Sequence, residues 1–141
     1  MDKYPIETSD DDARESPHRK ISHASSLLQG IPATGQDARW QAVIRIGEYT
    51  ESHPEDVWQF VARWGTHEQD DVREAIATCL LEHLLEHHFD LIFPRVLEFT
   101  RENEMFADTF CRCWKFGESE DPANARRFDA LQLQCQSKAG E

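Results

Sequence analysis

The stretch Asp70-Asp71-Val72-Arg73-Glu74-Ala75-Ile76-Ala77-Thr78-Cys79-Leu80-Leu81-Glu82-His83-Leu84-Leu85-Glu86-His87 decides the architecture. Val72, Ile76, Cys79, Leu80 and Leu84 recur at intervals of three and four, which places them on one face of a helix, and Leu81 and Leu85 widen that stripe. A helix apolar over so much of its girth needs neighbours on two sides. Asp70 or Asp71 is expected to cap its start.

The same period runs outward in both directions. Upstream, Trp40, Val43, Ile44 and Gly47 keep it, with Ile46 and Tyr49 beside them, in a helix expected from Asp37 to about Ser52. Pro54 opens the next helix, because a first-turn proline lacks an N–H that had no partner there, and Glu55 and Asp56 suit the positive helix end. Its stripe is Val57, Phe60, Val61 and Trp64, and Gly65 stops it. Downstream, Asp90 is expected to open a helix to about Arg101 carrying Phe93, Val96, Leu97 and Thr100, with Pro94 kinking or delaying its start. Phe106, Thr109, Phe110 and Cys113 then mark a helix expected to reach Gly117. Asp121-Pro122 is a cap followed by proline at the first helical position, and it introduces a last helix with Phe128, Leu131 and Cys135.

No segment alternates with period two, and the connections are short, so the expected class is all-α with consecutive helices packed as antiparallel neighbours. A fainter helical run, Ile21 to Gln29, ends at Gly30 ahead of a turn-rich Gly30, Pro32, Gly35 connection. Residues 1 to 20 hold Pro5, Asp10-Asp11-Asp12 and Pro17 with almost no large apolar side chain, and nothing in them repays the entropy of ordering. The expected organisation is a disordered segment over 1–20, one helical domain over 21–137 and a tail over 138–141. A chain of 141 residues is long enough for one core without metal or disulfide staples.

Apolar residues make up 39% and charged residues 30%, a balance that suits thin helical layers with wet faces. No run approaches the roughly 18 apolar residues of a membrane span, and Met1 to Asp12 is polar and acidic where a secretory signal is basic and then apolar. A cytoplasmic location without membrane association is expected. Cys79, Cys111, Cys113 and Cys135 form no C-x-x-C pair and read as small buried hydrophobes. The net charge is −12, and residues 37 to 117 hold sixteen acids against eight bases. Such a surface repels phosphate backbones and attracts cationic proteins.

The helices fall into pairs: Pro54 to Trp64 with Asp70 to His87, then Leu91 to Arg101 with Glu104 to Phe116. The second members recur at about 33 residues, a spacing found among helical-pair repeats. At that offset Gln41-Ala42-Val43 lies opposite Glu74-Ala75-Ile76. The run Asp70-Asp71-Val72-Arg73-Glu74-Ala75-Ile76 resembles the Asp-x-Val-Arg-x-x-Ala signature on the inner helix of HEAT-type repeats. In that signature Asp caps the helix, Val starts the packed stripe, Arg reaches a neighbouring carboxylate and Ala admits the adjoining helix. The likeness covers Glu55 to about Arg101; in the following pair Met105-Phe106 stands where Val-Arg would be. The resemblance implies antiparallel helix pairs stacked as a short HEAT-like superhelix, with binding on the inner-helix face. HEAT-like proteins are mostly scaffolds and adaptors, and one branch resembles DNA alkylation-repair glycosylases.

Four constellations bear on chemistry or binding. His83-Leu84-Leu85-Glu86-His87 has the H-x-x-E-H spacing of inverted zinc peptidases, in which histidines four apart share a face; only 54 residues follow it, too few for that family's downstream ligand. His83 and His87 are the metal-ligand candidates, and their ordinary reading is a set of cations at the negative end of a helix. Trp58 and Trp114 sit beside their stripes and are candidate interface anchors, whereas Trp64 belongs to the core. Glu74, Glu82 and Glu86 lie in or beyond the second turn of their helix, so capping does not account for them. Glu82 and Glu86, four apart, are expected to form a negative ridge. Cys111 and Cys113, two apart on a helix, point to different sides.

These residues predict a non-enzymatic protein-binding module with an acidic surface, an inhibitor or immunity-type partner of a basic protein, with Trp58, Glu74, Glu82, Glu86 and Trp114 facing the partner. No motif requires a cofactor. One alternative is a nucleic-acid-processing enzyme of the glycosylase kind, which needs Arg39, Arg45, Arg63 and Arg73 to gather against the acidic excess. The other is a metal-dependent hydrolase using His83, Glu86 and His87.

Overall fold

In the computed structural model, the backbone is described from residue 36 to 139 and side chains from 41 to 136. The expected segment 1–20, the run Ile21 to Gln29 and the side chains of Arg39 and Trp40 lie outside the described residues. The described chain is helical, with no strand: α1 (Gln36–Ile46), α2 (Pro54–Trp64), α3 (Asp70–Ile76), a π-helical turn Ala77–Leu81, α4 (Glu82–Glu102), α5 (Glu104–Cys111) and α6 (Pro122–Ala139). Short 3-10 turns occupy Gly47–Tyr49 and Gly117–Glu120. None of the described helices is long and apolar enough to cross a membrane.

Local signals explain α2 and α6. Pro54 starts α2, its stripe Val57, Phe60, Val61 and Trp64 is buried, and Gly65 closes it with its N–H on Val61 O at 2.7 Å. A side chain at Gly65 would press on the Phe106 ring at 3.0 Å, so helix stop and close approach coincide. The Asp121 carboxylate accepts the Ala123 N–H at 3.2 Å, capping α6, whose Phe128, Leu131 and Cys135 are buried. That helix runs to Ala139, past the expected domain edge at 137.

Elsewhere tertiary contacts move the boundaries. α1 stops at Ile46 rather than Ser52 because the Thr50 N–H and hydroxyl both turn back to Gly47 O, at 3.3 and 3.0 Å. Its buried stripe is Ala42, Val43 and Ile46, whereas Ile44, expected inside, is 53% exposed. Two positions from Ile46 at about 100° per residue, Ile44 faces the far side. At the start of α3 Gln69 holds the cap position with no capping hydrogen bond from its side chain, and Asp70 pairs with Arg73 instead of capping.

α3, the π turn and α4 follow one another without a loop. The break expected between His87 and Asp90 falls at His88 (φ −140°, ψ 48°), six residues before Pro94 rather than at it. Pro94 denies the Asp90 carbonyl its helical partner, and Asp90 lies exposed where water can take it. α5 ends at Cys111, short of Gly117, as Arg112 N–H and Cys113 N–H tighten onto Thr109 O and Phe110 O at 3.1 and 3.0 Å.

α4 is the central element, touched by α2, α5, α6 and the Gly117–Glu120 turn, while α1 and α2 pack on the π turn. Aromatic rings fill the junctions. Phe89 stacks on Phe93 at 4.7 Å, Phe110 meets Phe128 at 4.8 Å, and Trp58 sets its edge against Phe99 and Phe106 at 6.4 and 5.7 Å.

Candidate functional site

A carboxylate–guanidinium network joins α3 to α5. Arg73, 6% exposed, donates to Asp108 Oδ2 at 2.9 Å and His67 O at 2.6 Å and also binds Asp70. Arg112 donates to the same Asp108 oxygen at 2.9 Å and to Glu74 Oε1 at 2.9 Å, with Asp70 at 3.6 Å. Burial pushes the Asp108 carboxyl up, but hydrogen bonds from Arg112 and Arg73 outweigh it and hold its pKa below the ordinary value. Glu74, expected to face a partner, is thus paired with Arg112, and Arg73 is spent on carboxylates instead of being free for phosphates.

The expected ridge of Glu82 and Glu86 is not an exposed one. Glu82 is 5% exposed and accepts the Trp114 backbone N–H at 2.8 Å. Burial, only partly offset by that bond, raises its pKa. Glu86 is half-buried, with Oε1 taking His83 Nδ1 at 2.8 Å and lying 3.6 Å from His87 Nε2. His87 Nδ1 also lies 3.7 Å from Glu51, and His83 stacks on Phe116 at 6.0 Å. The histidines of the H-x-x-E-H motif therefore converge on the carboxylate between them. Among the described residues no group of three or more His, Cys, Asp or Glu side chains is arranged to hold a metal ion.

The two candidate tryptophans separate. Trp58 is half-buried between Phe99 and Phe106 and fills the seam between α2 and α5. Trp114 is 71% exposed, and its backbone is held by Glu82 on one side and by buried Cys113 on the other. Beside it opens a cleft of about 450 Å³ lined by Glu74, Arg112, Trp114, Lys115, Phe128 and Gln132. Lys115 binds Asp129 at 2.6 Å and lies over the Phe128 ring, so both cations at the cleft already hold a carboxylate. The arrangement presents a large amphipathic ring on a fixed stem next to a half-polar recess.

Sequence reasoning missed the exposed acids of the second half of α4. Asp90, Glu98 and Glu102 fall on one row at multiples of four, with Pro94 completing it, and all four are exposed. The four-residue spacing is legible in the sequence, but Pro94 interrupts the acidic row and no apolar stripe marks it. Arg95 on that half-helix binds Glu55 through both oxygens at 2.6 and 2.7 Å. Of the cysteines, Cys113 is buried and its thiol is pushed up by that burial, while the Cys135 thiol, and burial after it, raise that of Cys111.

Comparisons with family models, curated proteins and solved structures return no match to this chain.

Proposed function

We propose that the chain is a non-enzymatic protein-binding module that docks a cationic partner protein, in the manner of an inhibitor or immunity-type partner, with Trp114 as the anchor of the contact. The observation that carries this reading is the exposure of Trp114 on a backbone pinned by Glu82. A large ring on a stem ordered in advance costs little entropy to bury, and tryptophan dominates binding hot spots for that reason. Charge supplies the partner's sign. The chain carries −12, and Arg73, Arg95, Arg112 and Lys115 are already engaged with its own carboxylates. The surface that remains attracts a basic protein and steers its approach.

The helix pairs are read as a short HEAT-like superhelix. Supporting this, Val72 is buried and Arg73 reaches across to Asp108, the roles that the repeat signature assigns to those positions.

The test is calorimetric titration of the full chain against a panel of purified cationic proteins at low and raised salt. Binding that weakens with salt and falls about 30-fold in Trp114→Ala is expected, as for a hot-spot residue worth about 2 kcal/mol. A panel without any binder at low salt, or an affinity indifferent to Trp114→Ala, overturns the reading.

A further inference from the structure

Three contacts hold one turn of α5 against one turn of α6. The Gln132 amide donates to Phe110 O at 3.0 Å and Cys113 O at 2.9 Å, tying α6 to the carbonyls at the end of α5. The Cys111 thiol donates to Gln132 O at 3.7 Å. Cys135 follows Gln132 by three positions on α6, where a helical side chain comes beside the carbonyl one turn earlier, so it neighbours the Cys111 sulfur that bonds that carbonyl. Cys111 is half-buried and lines the cleft beside Trp114, so a small reagent has a route to it, and Cys135 is buried behind. Cys113 faces elsewhere, toward Ala77 O and Thr109 O at 3.7 and 3.8 Å.

We propose that Cys111 and Cys135 are a dithiol that a peroxide converts into an intramolecular disulfide, stapling α6 to α5 beside the Trp114 cleft. The Cys111 sulfur, as thiolate, attacks one peroxide oxygen; the O–O bond breaks, the departing hydroxide takes up a proton as water, and Cys111 is left as a sulfenic acid. The Cys135 sulfur then attacks the Cys111 sulfur, the S–O bond breaks, and the hydroxyl leaves as a second water with the Cys135 proton. Two thiols lose two electrons, and one peroxide is reduced to two waters. The Cys135 thiol beside it, and burial after that, keep the Cys111 thiol protonated, so the first step is slow and quickens in alkali.

The experiment treats the purified full chain with hydrogen peroxide, then denatures it, alkylates the remaining thiols and maps the peptides without reduction. Two alkylated cysteines, Cys79 and Cys113, and a linked Cys111–Cys135 peptide that dithiothreitol separates are expected. Cys113→Ser should form the same link, and Cys111→Ser should form none. The mapping on unsubstituted protein stands even if a variant fails to fold. Four alkylated cysteines, a link through Cys79 or Cys113, crosslinked chains, or Cys111 oxidised to sulfinic acid without a link would each overturn the proposal.

Discussion

The Glu118 carboxylate accepts the backbone N–H of Phe89 at 2.9 Å and closes the break in α4 from 29 residues away. His88 leaves the helical conformation, so the helix restarting at Phe89 has open N–H groups, and a carboxylate is the acceptor that its positive end favours. Glu118→Ala should lower stability by about 1 kcal/mol, the usual cost of a lost cap. Glu118→Gln keeps an oxygen acceptor and should recover most of that. Urea denaturation of the two variants decides; equal losses would mean that charge, not the bond, matters at the break.

Gly117 sets up that cap. Its φ of +52° lies in the left-handed region, and an added Cβ would sit 2.6 Å from Glu86 Cγ and 2.8 Å from Glu86 O. The backbone oxygen has no room to move away. Gly117→Ala should therefore cost more than about 1 kcal/mol, above the penalty of the conformation alone. The midpoint in urea should drop further than for Glu118→Ala.

Glu82 carries a pH signature. Its carboxyl pKa is raised in the folded protein, chiefly by burial, so its favourable contribution is complete below the unfolded value near 4.5 and fades as pH rises through the folded one. Glu82→Gln retains an oxygen for the Trp114 N–H and removes the buried charge. It should match the parent at acid pH and equal or exceed it at neutral pH. Glu82→Ala strands the N–H and should lose about 1–3 kcal/mol at neutral pH. Thermal unfolding from pH 4 to 8 separates the two variants; a gap between parent and Glu82→Gln that shrinks with rising pH contradicts the assignment.

The same residue marks where sequence reading reached and where it stopped. The ends of α2 were legible because Pro54 and Gly65 act on their own turns, and the buried stripe of α2 needs only the 3.6-residue period. The end of α5 was not, because the Trp114 N–H leaves the helix for a carboxylate 32 positions earlier. Glu82 looked like surface for the complementary reason. Its spacing to Glu86 defines a ridge on an uncovered helix, but a π turn breaks the period just before it and the Cys113–Phe116 segment covers it. Trp114 was legible as a candidate, since it stands off its stripe; its separation from Trp58 depended on which ring Phe99 and Phe106 enclose.

Arg73 and Asp108 tie α3 to α5, and their energetics are set by what each leaves behind. Removing Arg73 takes donors from Asp108, from His67 O and from Asp70 at once, although Arg112 still reaches Asp108 at 2.9 Å. Arg73→Met should cost about 3 kcal/mol, the lower end for breaking a covered ion pair, because that second guanidinium compensates in part. Adding Asp108→Asn should cost less than the sum of the two single changes, since no bare carboxylate then remains. Acid tests the same bond. The Asp108 pKa is depressed in the folded state, so its contribution is full above the ordinary 3.8 and is lost as pH falls through the folded value. The parent should lose stability as pH is lowered past that range, and Asp108→Asn should show a shallower loss; parallel curves in urea titrations at successive pH values would place the acid sensitivity at other carboxylates.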